Sequence, residues 1–177
     1  RLGILHKDIK PDNVLMTLNG RPLLADFGVA NEGLLEKGGV NATLRGGTPV
    51  YASPHVRKLF FRAKELPVAK RVFFLQHHPI THLDDFFALG ATVFEMYAEC
   101  GWRRGQSVAD VLATAGDVAQ LLHDMELRVA LPDGVNEVFQ ACFAADASLT
   151  IDSIVALTSK LCSNASSAST GGGRTAL

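Results

Sequence analysis

Apolar and polar positions follow two different rhythms along this chain. Up to residue 55 the apolar runs are short and are broken by Pro, Asn, Gly and Asp. That punctuation predicts short strands and loops. Asn13–Thr17 and Pro22–Ala25, joined through Leu18-Asn19-Gly20, predict a small β-hairpin with Asn19-Gly20 as its turn. From Leu83 onward the period becomes helical. Thr81, three residues before Asp84, reads as a capping-box start. Phe86, Phe87, Leu89, Gly90, Val93, Phe94 and Tyr97 then cover most of a helix circumference, which predicts a buried helix. Ser107 and Asp110 open another helix, with Val108, Val111, Leu112, Ala115, Val118, Leu122 and Met125 at helical spacing. A turn at Pro132-Asp133-Gly134 leads to short helices at about 135–144 and 151–162, the second capped by Thr150. Residues 163–177 are mainly Ser, Ala, Gly and Thr and predict a disordered tail. The expected architecture is α+β and mostly α, with one domain over 1–162.

Composition narrows this picture only a little. The chain has 177 residues, 47% of them hydrophobic and 20% charged, which suits a soluble globular domain with a real core. A net charge of −1 gives no bulk attraction to nucleic acid or an anionic membrane, and neither is an expected partner. The longest apolar stretch, around Phe86 to Tyr97, is too short to span a bilayer and carries Glu95. Cys100, Cys142 and Cys162 are odd in number and widely spaced, the pattern of reduced thiols in an intracellular and cytoplasmic protein.

The chemistry lies in His6-Lys7-Asp8-Ile9-Lys10-Pro11-Asp12-Asn13 and Asp26-Phe27-Gly28. Asp8, Lys10 and Asn13 share one loop, so an acid, a cation and an amide can converge. Asp26 follows the hairpin, which returns the chain towards Asn13. Two oxygen donors from neighbouring strand ends, one a carboxylate, suit a magnesium ion that also holds phosphate. A further carboxylate beside a lysine suits orienting a hydroxyl while neutralising a transferred phosphoryl group.

These residues and their spacing resemble the signature of the eukaryotic-type serine/threonine protein kinases, in which a His-Arg-Asp loop runs on to Asn and then Asp-Phe-Gly. Gly47-Thr48-Pro49-Val50-Tyr51-Ala52-Ser53-Pro54-His55 resembles the end of that family's activation segment, and Asp85-Phe86-Phe87-Ala88-Leu89-Gly90 the start of its central buried helix. The resemblance implies a kinase C-terminal lobe with a hairpin at the catalytic loop. Asp8 would be the catalytic carboxylate, with Lys10 neutralising the γ-phosphate of ATP. Asn13 and Asp26 would ligate Mg2+, and Leu15 would form the floor beneath adenine. Thr48 would bridge Asp8 and Lys10 and line the site of a protein substrate. His6, Phe27, Gly28 and Asp85 would be structural: His6 and Phe27 stacking between the lobes, Asp85 bonding the catalytic-loop backbone. Lysine two residues after the acid is the serine/threonine pattern. Small-molecule kinases of the aminoglycoside and choline type share part of this loop but normally lack the Lys10 equivalent, the Phe-Gly and the Gly47–Pro54 block.

Departures from the family pattern are equally specific. The 177 residues hold no glycine-rich phosphate loop and no strand lysine, so the chain is expected to be a piece of a longer kinase. The missing N-terminal lobe would then be its partner, and the chain alone would be nearly inactive, with the Leu15, Ala25 and Phe27 surface bare. Lys7 replaces the usual arginine. His55 stands where the family has glutamate and Thr150 where it has the paired arginine, so both halves of a buried ion pair are replaced together. An insertion near 58–82 reads as either a docking element or a long packed loop. Thr43 reads equally as an activation-loop phosphosite or an ordinary loop threonine. Glu95 and Glu99 are expected at a solvated helix end, His77, His78 and His82 in an exposed loop, and Trp102 in the core. A non-catalytic scaffold remains the alternative to the enzyme.

Overall fold

A computed structural model describes residues 4–32, 34–36, 39–43, 47–101, 134–144 and 148–159. The helix expected from Ser107, Trp102, the end of the last helix and the 163–177 tail lie outside the described residues. So do the side chains of Thr43, Glu99 and Cys100.

The N-terminal part folds as nested antiparallel strands. β1 (Ile4–Leu5) pairs with β4 (Asn31–Glu32), and β2 (Val14–Met16) pairs with β3 (Pro22–Leu24). Because the inner pair sits within the outer one in sequence, the β1–β2 and β3–β4 connections run side by side. The hairpin turn lies at Asn19-Gly20, where Gly20 adopts φ +77 and donates its N–H to the Thr17 carbonyl. A third sheet joins β5 (Leu34–Glu36), β6 (Gly39–Thr43) and β7 (Pro79–Ile80) in that order, with Thr43 opposite Pro79.

The helical part begins earlier than the sequence reading places it. α1 spans Pro54–Glu65 and α2 spans Val68–Gln76, so most of the insertion is helical. Ser53 caps α1 by accepting the Val56 N–H at 3.2 Å, and Pro54 occupies the first turn, where its missing donor costs nothing. Val56, Leu59 and Ala63 form the buried stripe at i, i+3 and i+7. Leu66-Pro67 ends the helix. Leu5, Val56, Leu59 and Ile80 make one core cluster, so the first strand packs directly on the insertion.

α3 (His82–Gly101) starts as the capping pattern predicts, with Asp84 Oδ2 accepting the Thr81 N–H at 2.8 Å. Its buried face meets α4 (Val135–Phe143) through Phe86, Phe87, Ala91, Phe94, Phe139, Cys142 and Phe143. Val93 and Met96 remain exposed, so α3 is buried on one face and not all round. Glu95 is half-buried, and its Oε2 is buried with no partner among the described residues. Burial pushes the Cys142 thiol up to about 11, so it stays protonated at neutral pH. α5 covers 151–159, and Thr150 caps it through the Ser153 N–H at 3.2 Å. His77 and His78 lie in the turn just after α2, His77 exposed and His78 half-buried. Their Nδ1–H groups donate to the carbonyls of Phe73 and Phe74, on whose rings they pack. His82 is the first residue of α3 and meets Phe86 edge-on.

Gly90 tests the α3–α4 packing. A Cβ there would lie 2.8 Å from Cys142 Cβ and 2.9 Å from the Phe143 ring. Alanine ordinarily gains about 1 kcal/mol over glycine within a helix, but overpacking costs about 1–3 kcal/mol. Gly90→Ala should therefore destabilise the chain, read as a lower urea midpoint at unchanged m-value.

Candidate active site

The loop between β1 and β2 is held from below by α3. Asp85 Oδ2 accepts the His6 N–H at 2.7 Å and Oδ1 accepts the Lys7 N–H at 2.8 Å. Lys7 takes the left-handed region at φ +68, a strain of about 1–3 kcal/mol. Two hydrogen bonds to a charged acceptor, each worth about 1.5–3 kcal/mol, outweigh it. Burial pushes the Asp85 carboxyl above its ordinary range, and the two N–H donors partly offset that push. Next to it, Asp84 Oδ1 accepts the Ser53 hydroxyl, so one helix start anchors both the loop and α1. Ser53 is a positioning residue that the sequence reading passes over, although its place before Pro54 is a legible cap signal.

His6 links this loop to the strand before Asp26. Its Nδ1 accepts the Asp8 N–H at 3.3 Å, which places the ring proton on Nε2, and that N–H donates to the Ala25 carbonyl at 2.9 Å. The Phe27 ring lies edge-on at 4.7 Å from His6. The Asn13 carbonyl accepts the Ala25 N–H at 2.8 Å. These contacts bring Asp26 beside the Asp8 loop, close enough that its charge helps raise the Lys10 pKa, for which the main cause is the Asp8 hydrogen bond.

Asp8, Lys10 and Thr48 form a triangle. Lys10 Nζ lies 3.0 Å from Asp8 Oδ2 and donates to Thr48 Oγ1 at 3.0 Å. Asn13 Nδ2 donates to the Asp8 carbonyl at 2.8 Å and approaches its Oδ2 at 3.4 Å. Burial alone would raise the Asp8 pKa; the Thr48 hydroxyl and amide together with Lys10 outweigh it and hold the carboxyl below its ordinary range. Asp8 Oδ1 is buried with no hydrogen-bond partner among the described residues. Thr48 arrives by a close approach. Gly47 has φ +125, and a Cβ on it would sit 2.6 Å from the Lys7 carbonyl, so only glycine fits.

The metal-type donors are two. Asp26 has φ +60 and accepts the Gly28 N–H through Oδ1 at 3.2 Å, which leaves Oδ2 open. Asn13 uses its amide nitrogen on Asp8, which leaves Oδ1 open. A carboxylate oxygen and an amide oxygen, with other places left to water and phosphate, fit Mg2+. Among the described residues no cluster of three or more His, Cys, Asp or Glu could hold a metal, the three histidines at 77, 78 and 82 included. Leu15 and Phe27, each 55% exposed, lie on the open hairpin side. Thr43 is placed by its backbone at the end of β6, opposite Pro79 and a few residues before Thr48. His55 is exposed and Thr150 is used as a cap, so neither takes part in a buried pair.

A mostly helical domain whose hairpin brings an acid–lysine pair beside two open oxygen donors defines a kinase-like class. Residues 1–149 match the protein kinase domain family, and the chain belongs to it, on the side of the eukaryotic-type serine/threonine protein kinases. It is 48% identical over 56 residues to serine/threonine-protein kinase MRCK alpha of Mus musculus, covering 32% of this chain and 3% of that protein. It is 34% identical over 96 residues to protein kinase C epsilon type of Rattus norvegicus, covering 54% of this chain and 10% of that protein. Serine/threonine-protein kinase mrck-1 of Caenorhabditis elegans is 46% identical over 56 residues, 32% of this chain and 4% of its own length. The chain thus spans a tenth or less of each of these relatives. Among the described residues no helix is long and apolar enough to cross a membrane.

Two measurements check this electrostatic frame. Asp85→Asn keeps one acceptor and turns an NH2 towards the second backbone N–H. Relief of the buried charge offsets only part of that loss, so urea unfolding should show a net destabilisation of about 1–3 kcal/mol. For Asp8, a depressed folded pKa means the pair's contribution is complete above the ordinary value of 3.8 and is lost as pH falls through the folded value. Lys10→Met should therefore cost up to about 1 kcal/mol at neutral pH, with its urea midpoint converging on that of the wild type in acid.

Proposed function

We propose that this chain is the C-terminal lobe of a kinase that transfers the γ-phosphate of ATP to Ser or Thr hydroxyls of protein substrates, in a parent whose N-terminal lobe covers the hairpin. The observation that carries the reading is the Asp8–Lys10–Thr48 triangle lying beside the open oxygens of Asn13 and Asp26. Asp8 is held ionised at neutral pH, so it can accept a proton. As the substrate oxygen bonds to the γ-phosphorus, its proton passes to Asp8. The bond from that phosphorus to the bridging oxygen breaks, and its electron pair leaves with ADP. Lys10 keeps its positive charge within reach of the equatorial oxygens, where it offsets the charge that spreads there. Asn13 and Asp26 would hold Mg2+, which supplies charge neutralisation on the phosphates.

The covering lobe is argued from the hairpin. Leu15, Met16, Leu23 and Leu24 are exposed on a ladder of only two strands, and Phe27 is exposed just beyond it. Such a ladder is marginal in water without an apolar cover. The isolated 177 residues, lacking a roof for the nucleotide, are expected to have little activity, and Leu15 would pack beneath adenine once the roof is present.

Restoring the upstream coding sequence and following phosphate transfer to a generic Ser/Thr substrate tests the reading. Asp8→Asn should lower kcat by about a hundred- to ten-thousand-fold. Equal transfer by both proteins would defeat the catalytic assignment of Asp8, and none by either with the lobe present would make the chain a non-catalytic scaffold.

A further inference from the structure

The insertion after Ser53 carries a surface that phosphoryl transfer does not use. From Arg57 to Arg71 it holds six basic residues, Arg57, Lys58, Arg62, Lys64, Lys70 and Arg71, against one acid, Glu65, in a chain of net charge −1. His55, Lys58 and Arg62 recur at helical spacing on α1, so they share one stripe along about 10 Å of helix axis. With Leu59, Phe61, Glu65 and His78 they line an open groove of about 460 Å3. Leu59 is a floor at 4% exposure, whereas Phe61 presents 53% of its surface. Neither Lys58 nor Arg62 has an ion-pair partner among the described residues. His78 is oriented by its Nδ1–H, which donates to the Phe74 carbonyl at 2.7 Å and leaves Nε2 as its open nitrogen.

We propose that this groove docks a short acidic segment of a partner protein, in extended conformation, with an apolar side chain against Phe61. The complementarity is first one of charge. Lys58 and Arg62, flanked by two histidines and opposed only by Glu65, call for an anionic occupant. Spacing agrees: Lys58 and Arg62 are offset by about 6 Å of helix rise, and alternate side chains of an extended strand recur every ~7 Å. The volume falls within the range of about 300–1,000 Å3 typical of binding pockets. Concavity with an apolar floor favours a peptide over a lipid surface, which meets a protruding face. The groove also adjoins the strand that holds the activation segment, since His78 leads directly into Pro79, opposite Thr43. Nothing in this proposal depends on catalysis.

The test uses the whole chain and a short fluorescein-labelled peptide of alternating Glu and Asp around a central Leu, followed by anisotropy. Binding should weaken about tenfold or more in the Lys58→Ala/Arg62→Ala double variant. It should be lost near 1 M NaCl, where the screening length falls to about 3 Å. Both side chains are exposed, so the variant's thermal midpoint should stay within about 1 °C of wild type, a shift that corresponds to a small surface effect. Phe61→Ala should weaken the Leu-containing peptide more than a version with Leu replaced by Ser. Equal affinity of the double variant, or no peptide binding at low salt, overturns the proposal. So does sedimentation of the chain with phosphatidylserine vesicles while the peptide fails to bind, which would assign the surface to a membrane.

Discussion

One carboxylate holds the site together. Asp85 sits at the first turn of α3, where its charge is favoured by the helix N-terminus, and gives both oxygens to consecutive backbone N–H groups of the His6–Lys7 segment. This clamp makes the left-handed backbone of Lys7 tolerable. From there Asp8 is presented to Lys10, and His6 reaches across to the Ala25 carbonyl before Asp26. The acid is itself costly to bury, as its upward-shifted pKa shows. Its expense is balanced because both of its oxygens are used.

The neighbouring Asp84 extends the same logic to the insertion. Through Ser53 it ties the start of α3 to the start of α1, and through the Thr81 N–H it closes its own capping box. Leu5 of β1 then packs with Val56, Leu59 and Ile80. The insertion therefore shares a core with the strand that leads into the site, and its last strand pairs with β6. The exposed His55 and the capping Thr150 fit this arrangement. Neither takes part in a buried ion pair, and α1 is fastened by the Ser53 hydroxyl cap and an apolar stripe.

The grouping of the candidate site residues was legible because they are close in sequence. Asp8, Lys10 and Asn13 lie within a single loop, and a hairpin is the shortest route from Asn13 to Asp26. The α3 start was legible for the same reason, since a capping box is a local signal. α1 and α2 were not read as helices, although Ser53-Pro54 and the Val56, Leu59, Ala63 period were available. Basic residues and paired phenylalanines obscured the stripe, and α2 buries no residue fully, so it has no strong period to find.

By itself the sequence determined that Asp8, Lys10 and Asn13 share one loop and which segments form the hairpin and α3, because local spacing and capping decide these. Tertiary structure alone decided that Gly47 must be glycine, that Ser53 binds Asp84 and that Glu95 turns an oxygen inward. Each depends on an approach between segments distant in the chain or on what packs around a side chain. No local pattern encodes such an approach, because its energy exists only once both surfaces are in place.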